Sequence, residues 1–164
     1  MFRARQTAAF LLTAALAMAC SSTPKNPAPE VPLGGGKSEI SAMAGRWEGT
    51  YSSQTTGRSG SIVFELKSGA EHAKGDVLMV PKGGNVPASS DPLHGMPQVL
   101  NISFVNAEGC VVKGTMDPYR DPDCDCQVET TFVGIRKGDT IEGTFTTTGA
   151  ATVATGRWSI SRKK

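Results

Sequence analysis

Residues 44–164 alternate apolar with polar side chains in short runs, and single glycines recur inside those runs. No other feature of this chain constrains its fold as much. The runs are rich in Val, Ile, Phe and Thr, are broken by Gly and Asp, and never sustain a helical period, which is the pattern of an all-β meander. They predict strands over 44–52, 59–67, 73–80, 98–106, 110–116, 124–136, 139–147 and 153–162. A glycine inside a strand weakens it unless space is needed there. Hairpin geometry tests that idea, because a one-residue slip swaps the two faces. A two-residue loop at Lys137 and Gly138 places Gly134 opposite Ile141 and Phe132 opposite Gly143. A three-residue loop ending at Gly109 pairs Phe104 with Val112, Ile102 with Gly114 and Leu100 with Met116. A four-residue loop after Ser68 pairs Leu66 with Gly75 and Phe64 with Val77. Each hairpin sets a glycine against a bulky residue, as the narrow interior of a small closed barrel requires.

Closure follows from the two ends of the domain. "GRW" stands at 45–47 and again at 156–158, so antiparallel pairing sets Trp47 against Gly156 and Trp158 against Gly45. Joining the first strand to the last removes both exposed sheet edges. The expected architecture is an eight-stranded antiparallel up-and-down barrel. Trp47, Tyr51, Phe64, Phe104, Phe132, Phe145 and Trp158 face inward and are the candidate ligand-binding residues. The stretch "GRWEGTY" at 45–51, with "GTM" at 114–116 and "GTF" at 143–145, resembles the group of small barrels that includes lipocalins and avidins. The resemblance implies the same up-and-down fold. With Trp47 and Trp158 as the only tryptophans, it does not extend to an avidin biotin pocket. Eight strands enclose room for packed side chains or for one small ligand. The expected function is therefore non-catalytic binding of an apolar small molecule or lipid, the alternative being a structural or protein-interaction role through loops 81–97 and 117–123.

The N-terminus has the form of a secretory signal: Arg3 and Arg5 precede an apolar run from Thr7 to Ala19, too short to span a bilayer. "LAMAC" at 16–20 resembles the lipobox of bacterial lipoproteins. That resemblance implies cleavage before Cys20, lipidation of its thiol, and, with Ser21 following, sorting to the outer membrane. The globular domain then faces the periplasm or the cell surface, and the lipid makes the membrane its first partner. Residues 1–19 are read as signal peptide, 20–43 as a lipidated disordered linker rich in Pro and Gly, and 44–164 as the barrel domain. Removing Arg3 and Arg5 leaves fifteen basic against fifteen acidic residues. That balance argues against nucleic acid as a partner, because phosphate binding needs a basic stripe.

Little of the remaining sequence looks like chemistry. Cys110, Cys124 and Cys126 are left after lipidation, an odd number for an oxidising compartment. Pairing Met116 with Cys124 sets all three inward and holds Cys110 too far from Cys126 for a bridge. A register slip joining Cys110 to Cys126, a bent loop joining Cys124 to Cys126, free buried thiols, and thiolates on a soft metal all stay open. Asp121, Asp123 and Asp125 alternate like a calcium loop, but "DPYRDPDCDC" at 117–126 lacks the glycine and flanking helices of that motif and reads as a proline-pinned turn. His94 and Met96 are weak candidates for copper(I). No cofactor motif is present, nor any nucleophile elbow or zinc-protease signature, so no catalytic residue is assigned.

Overall fold

The computed structural model describes residues 29–80, 97–150 and 152–164. The order is β1 (Glu30–Gly35), α1 (Lys37–Ala42), β2 (Gly45–Ser53), β3 (Ser59–Leu66), β4 (His72–Val80), β5 (Gln98–Glu108), β6 (Val111–Met116), β7 (Tyr119–Asp121), β8 (Cys126–Lys137), β9 (Thr140–Gly149) and β10 (Thr152–Lys163). All eight expected strands are present. They follow one another as an antiparallel meander, and β10 returns to pair with β2. The barrel nevertheless has nine strands and is mixed. β1 wedges between β4 and β5, antiparallel to β4 and parallel to β5, while β4 and β5 pair directly only beyond it, from Asp76 to Met79. β7 is a tenth, short strand on the edge of β8.

The wedge corrects the linker reading for residues 30–42, while 20–28 lie outside the described residues. Residues 30–42 form β1 and α1, because Val31 finds a fully buried place beside Ala73 where β4 and β5 separate. Backbone pairing on both sides holds a Pro- and Gly-rich segment that has no alternating pattern of its own. α1 then covers this end of the barrel. Trp47, 0 % exposed, donates its indole N–H to the carbonyl of Met43 at 2.8 Å, fixing the end of α1 over the core. Arg162 of β10 lies 4.3 Å from the centre of the Trp47 ring and donates to the carbonyls of Ala42 and Ala44. A cation at a helix C-terminus meets the partial negative charge of its free carbonyls.

The registers differ from the expected ones in an instructive way. β8 and β9 pair Phe132 with Phe145 and Gly134 with Gly143, a two-residue shift. β3 and β4 also shift by two, pairing Phe64 with Gly75 and Ile62 with Val77. β2 and β10 shift by six, so Trp158 faces Tyr51 and Arg162 faces Trp47, in place of the expected Trp47–Gly156 pair. Even shifts keep each side chain on its own face. In β5 the shift is odd beyond a bulge between Ile102 and Phe104, which carries Val105 and Ala107 inward and turns Phe104 out to 39 % exposure. Phe104 is thus a residue of the outer face, not of the interior.

Glycines do meet bulk inside the barrel, with changed partners. A Cβ at Gly60 would meet Tyr51, one at Gly114 would strike Phe132 and the Phe104 carbonyl, one at Gly134 or Gly143 would meet Trp158, and one at Gly156 would strike Phe145. Gly75 is less tight, with Phe64 at 3.2 Å and Ile102 at 3.1 Å from the position a Cβ would take. Overpacking a filled core costs about 1–3 kcal/mol. We therefore expect Gly114→Ala to lower stability by about 2 kcal/mol and Gly75→Ala by less than about 1 kcal/mol, both measured by urea unfolding. Equal effects at the two positions would contradict the spacer role.

Candidate functional site

The barrel's two ends differ in chemistry. The end under α1 is packed with Val31, Trp47, Leu66, Ala73, Ala107 and Ile141. At the opposite end β2, β4, β6 and β9 finish while β3, β5, β8 and β10 begin, and polar side chains gather there around the mouth of a cavity of about 90 Å³. Phe64, Val77, Leu100, Ile102, Phe132, Phe145 and Trp158 form its apolar body. Tyr51, Ser53, Arg58, Tyr119, Asp121, Thr130 and Thr147 supply the polar groups.

Of the seven aromatic residues expected to line the interior, five do so: Tyr51, Phe64, Phe132, Phe145 and Trp158. Trp47 belongs to the packed end and Phe104 to the outside. Four of these rings lock edge to face in two pairs. Tyr51 meets Phe145 at 5.7 Å and Phe132 meets Trp158 at 5.8 Å, geometries that favour the positive ring edge against the negative face. The Trp158 indole N–H donates to the Thr144 carbonyl at 3.1 Å.

The mouth is dominated by an ion pair that the sequence did not announce. Arg58, 5 % exposed, donates through both terminal nitrogens to the carboxylate of Asp121, 3 % exposed, at 2.7 Å each. Its second terminal nitrogen also lies 2.5 Å from Asp123, whose side chain is largely exposed. Arg58 stands at the inward parity of β3, one residue before that strand begins, so a strand boundary at 59 hid it. Asp121 reaches the mouth because "DPYRDPDCDC" folds over it: β7 pairs with the start of β8, and residues 122–125 turn sharply between them. Within that turn the Asp123 amide donates to the Asp121 carboxylate at 2.8 Å. Asp125 takes a left-handed backbone (φ 54°), and its carboxylate binds Arg120.

Cys124 and Cys126 form a disulfide across this turn, with Cα atoms 5.1 Å apart. Of the arrangements left open by the sequence, the bent-loop bridge is the one adopted. Cys110 is a free, exposed thiol in the β5–β6 turn, not an inward residue. Its carbonyl accepts from the Arg136 amide, ten residues along β8 from Cys126, because the β6–β8 register differs by six from the expected one. The alternating aspartates are drawn to Arg58 and Arg120 instead of converging on a cation position. Among the described residues no group of three or more His, Cys, Asp or Glu side chains is placed to hold a metal ion. His94, Met96, Cys20 and most of the 81–97 loop lie outside the described residues.

Deeper in, the Thr130 and Thr147 hydroxyls hydrogen bond to each other at 2.7 Å, and Thr130 lies 3.5 Å from the Tyr119 hydroxyl. The buried Tyr51 hydroxyl has no partner among the described residues. Burial pushes its phenol far above the ordinary value of 10.0, with Tyr119 adding to the effect and Arg58 opposing it, so it stays a neutral hydroxyl. Burial likewise pushes the Asp121 carboxyl up, but the Arg58 hydrogen bonds, the Asp123 amide, the Arg58 charge and the Cys124 amide together outweigh it. The net result lies below the ordinary value of 3.8.

Among the described residues this geometry gathers an apolar wall, hydroxyls and one buried ion pair. No protein-family model, curated protein or solved structure matches the chain.

A carboxylate whose pKa is lowered in the folded state stabilises fully above its unfolded pKa, and that stability is lost as pH falls through the folded value. Unfolding free energy should therefore decline as the solution is acidified below about pH 4, and Asp121→Asn should flatten that decline. Removing one member of a buried pair costs about 3–5 kcal/mol. Asp121→Ala should destabilise by that amount in urea titrations, whereas Arg58→Met with Asp121→Leu should recover most of it.

Proposed function

We propose that this chain is a non-catalytic envelope lipoprotein that carries a small apolar molecule in its barrel. In this reading residues 1–19 export the chain, Cys20 anchors it by lipid to the outer membrane, and the barrel is a carrier of the lipocalin-like kind. The single observation that supports the carrier role is the cavity bounded by Tyr51, Phe64, Phe132, Phe145 and Trp158, with hydroxyls at one end only. Ligand sites of this kind are concave and mostly apolar, with a few placed polar groups that set orientation. The lipid anchor is supported by the lipobox-like "LAMAC" and by the Pro-rich stretch that follows it.

A second reading, in which the protein presents loops to an envelope partner, draws support from the turn after β7. A disulfide and two arginines hold that turn in one shape at the barrel rim. A rigid loop on a rigid scaffold is a common place for recognition.

One preparation distinguishes the readings. The full chain, expressed with its signal and extracted from membranes, should release a small molecule in native mass spectrometry, and solvent extraction should remove it. An empty barrel that retains an envelope protein would overturn the carrier role in favour of the second reading. Cys20→Ser should shift the protein from the membrane to the soluble fraction; unchanged membrane retention would refute the lipid anchor.

A further inference from the structure

The cavity's polar end constrains the chemistry of its occupant, and the following inference rests on the carrier reading. Among the described residues Tyr51 is the one buried hydroxyl at that end with nothing to bond, since Thr130 and Thr147 use each other and Tyr119 approaches Thr130. The Tyr51 ring is held between Phe145 and the bare backbone of Gly60, so the hydroxyl cannot swing away to water without displacing both. A buried hydroxyl left without a partner is unfavourable, and native structures resolve this with a water or a ligand.

Charge separates the ligands that would suit this hydroxyl. Among the described residues Arg58 is the only cationic side chain on the cavity wall, and Asp121 and Asp123 already engage it. One guanidinium between two carboxylates gives this group of described residues an excess negative charge. An incoming carboxylate would lose its hydration and find no cation available to replace it. A neutral head that donates or accepts one hydrogen bond suffers neither penalty.

Size narrows the choice further. A cavity of about 90 Å³ holds roughly seven water-sized positions, at about 12 Å³ each. That is room for one slim body, not for a multi-chain lipid.

We propose that the Tyr51 hydroxyl is the polar anchor of the site and that its ligand is a small uncharged amphiphile: a slim apolar body ending in one hydroxyl, carbonyl or amide group, with carboxylates excluded. The Tyr51 hydroxyl donates to the ligand's oxygen or accepts from its O–H or N–H, while Phe64, Phe132 and Trp158 enclose the apolar part.

The test uses the full mature chain with Cys20→Ser, stripped of bound molecules by solvent extraction and titrated calorimetrically at pH 7.5 with 1-octanol, octanoate and toluene. Octanol should bind at least tenfold more tightly than octanoate. Tyr51→Phe should weaken octanol about tenfold, the loss of one hydrogen bond, and leave toluene unaffected. It should also fold with undiminished stability, because the hydroxyl it removes is unpaired. Asp123→Asn, which lifts one carboxylate from Arg58, should raise octanoate affinity relative to octanol. Octanoate binding as tightly as octanol, or an octanol affinity indifferent to Tyr51→Phe, would overturn the neutral-head inference and leave the carrier reading standing. Binding of none of the three probes to the unmodified cavity would remove the carrier reading and this inference with it. The octanol–octanoate comparison needs no change inside the barrel, so it decides the matter even if Tyr51→Phe folds poorly.

Discussion

The bore of the barrel is the constraint from which the rest follows. A closed sheet of this size leaves little more than the width of its own side chains, yet five large rings enter it. They fit because the wall is bare where they point: Gly60 beside Tyr51, Gly75 beside Phe64, Gly114 beside Phe132, Gly134 and Gly143 beneath Trp158, and Gly156 beside Phe145. Each glycine forgoes its own packing and weakens its strand, and the buried ring opposite compensates with a far larger apolar surface. Four of the rings in turn lock edge to face in two pairs, and the space the five leave unfilled is the cavity.

The two ends of that bore are closed by different physics. At one end the closure is apolar and topological: β1 occupies the gap between β4 and β5, α1 lies across the opening, and Trp47 with Arg162 ties the helix to both the first and last strands of the meander. At the other end a desolvated ion pair holds the turn after β7 against the rim. Burying both charges is unfavourable in itself, so Arg58 and Asp121 hold position only because their geometry is bidentate and the turn's own amides complete the carboxylate's hydrogen bonds. The disulfide between Cys124 and Cys126 shapes the same turn. A dry, firmly built end faces a polar one, which gives the interior a direction.

Most of the wall was legible from the sequence, because alternation with period two fixes which residues share a face. Registers that were wrong by two or six still returned the correct inward set, since even shifts preserve parity; Phe64, Phe132 and Phe145 were placed on the right face with the wrong neighbours. Phe104 failed for the complementary reason: one extra residue at the β5 bulge reverses parity, and no local signal marks it. The candidate site was legible only in its apolar half. Arg58 lay one residue outside an expected strand, and Asp121 looked like turn chemistry, which it also is. Their meeting joins residues 63 positions apart and is visible only when the barrel closes.

By itself, the amino-acid order determined that this chain builds a β-meander with a narrow, glycine-spaced interior, because side-chain alternation acts locally. The tertiary structure alone decided that residues 30–42 belong to the barrel, which cysteines bond, how far each strand slides past the next, and that a buried arginine is matched by aspartates from a distant turn. Those outcomes depend on contacts between segments far apart in the chain. Their energies are set by what is excluded from water once the sheet has closed.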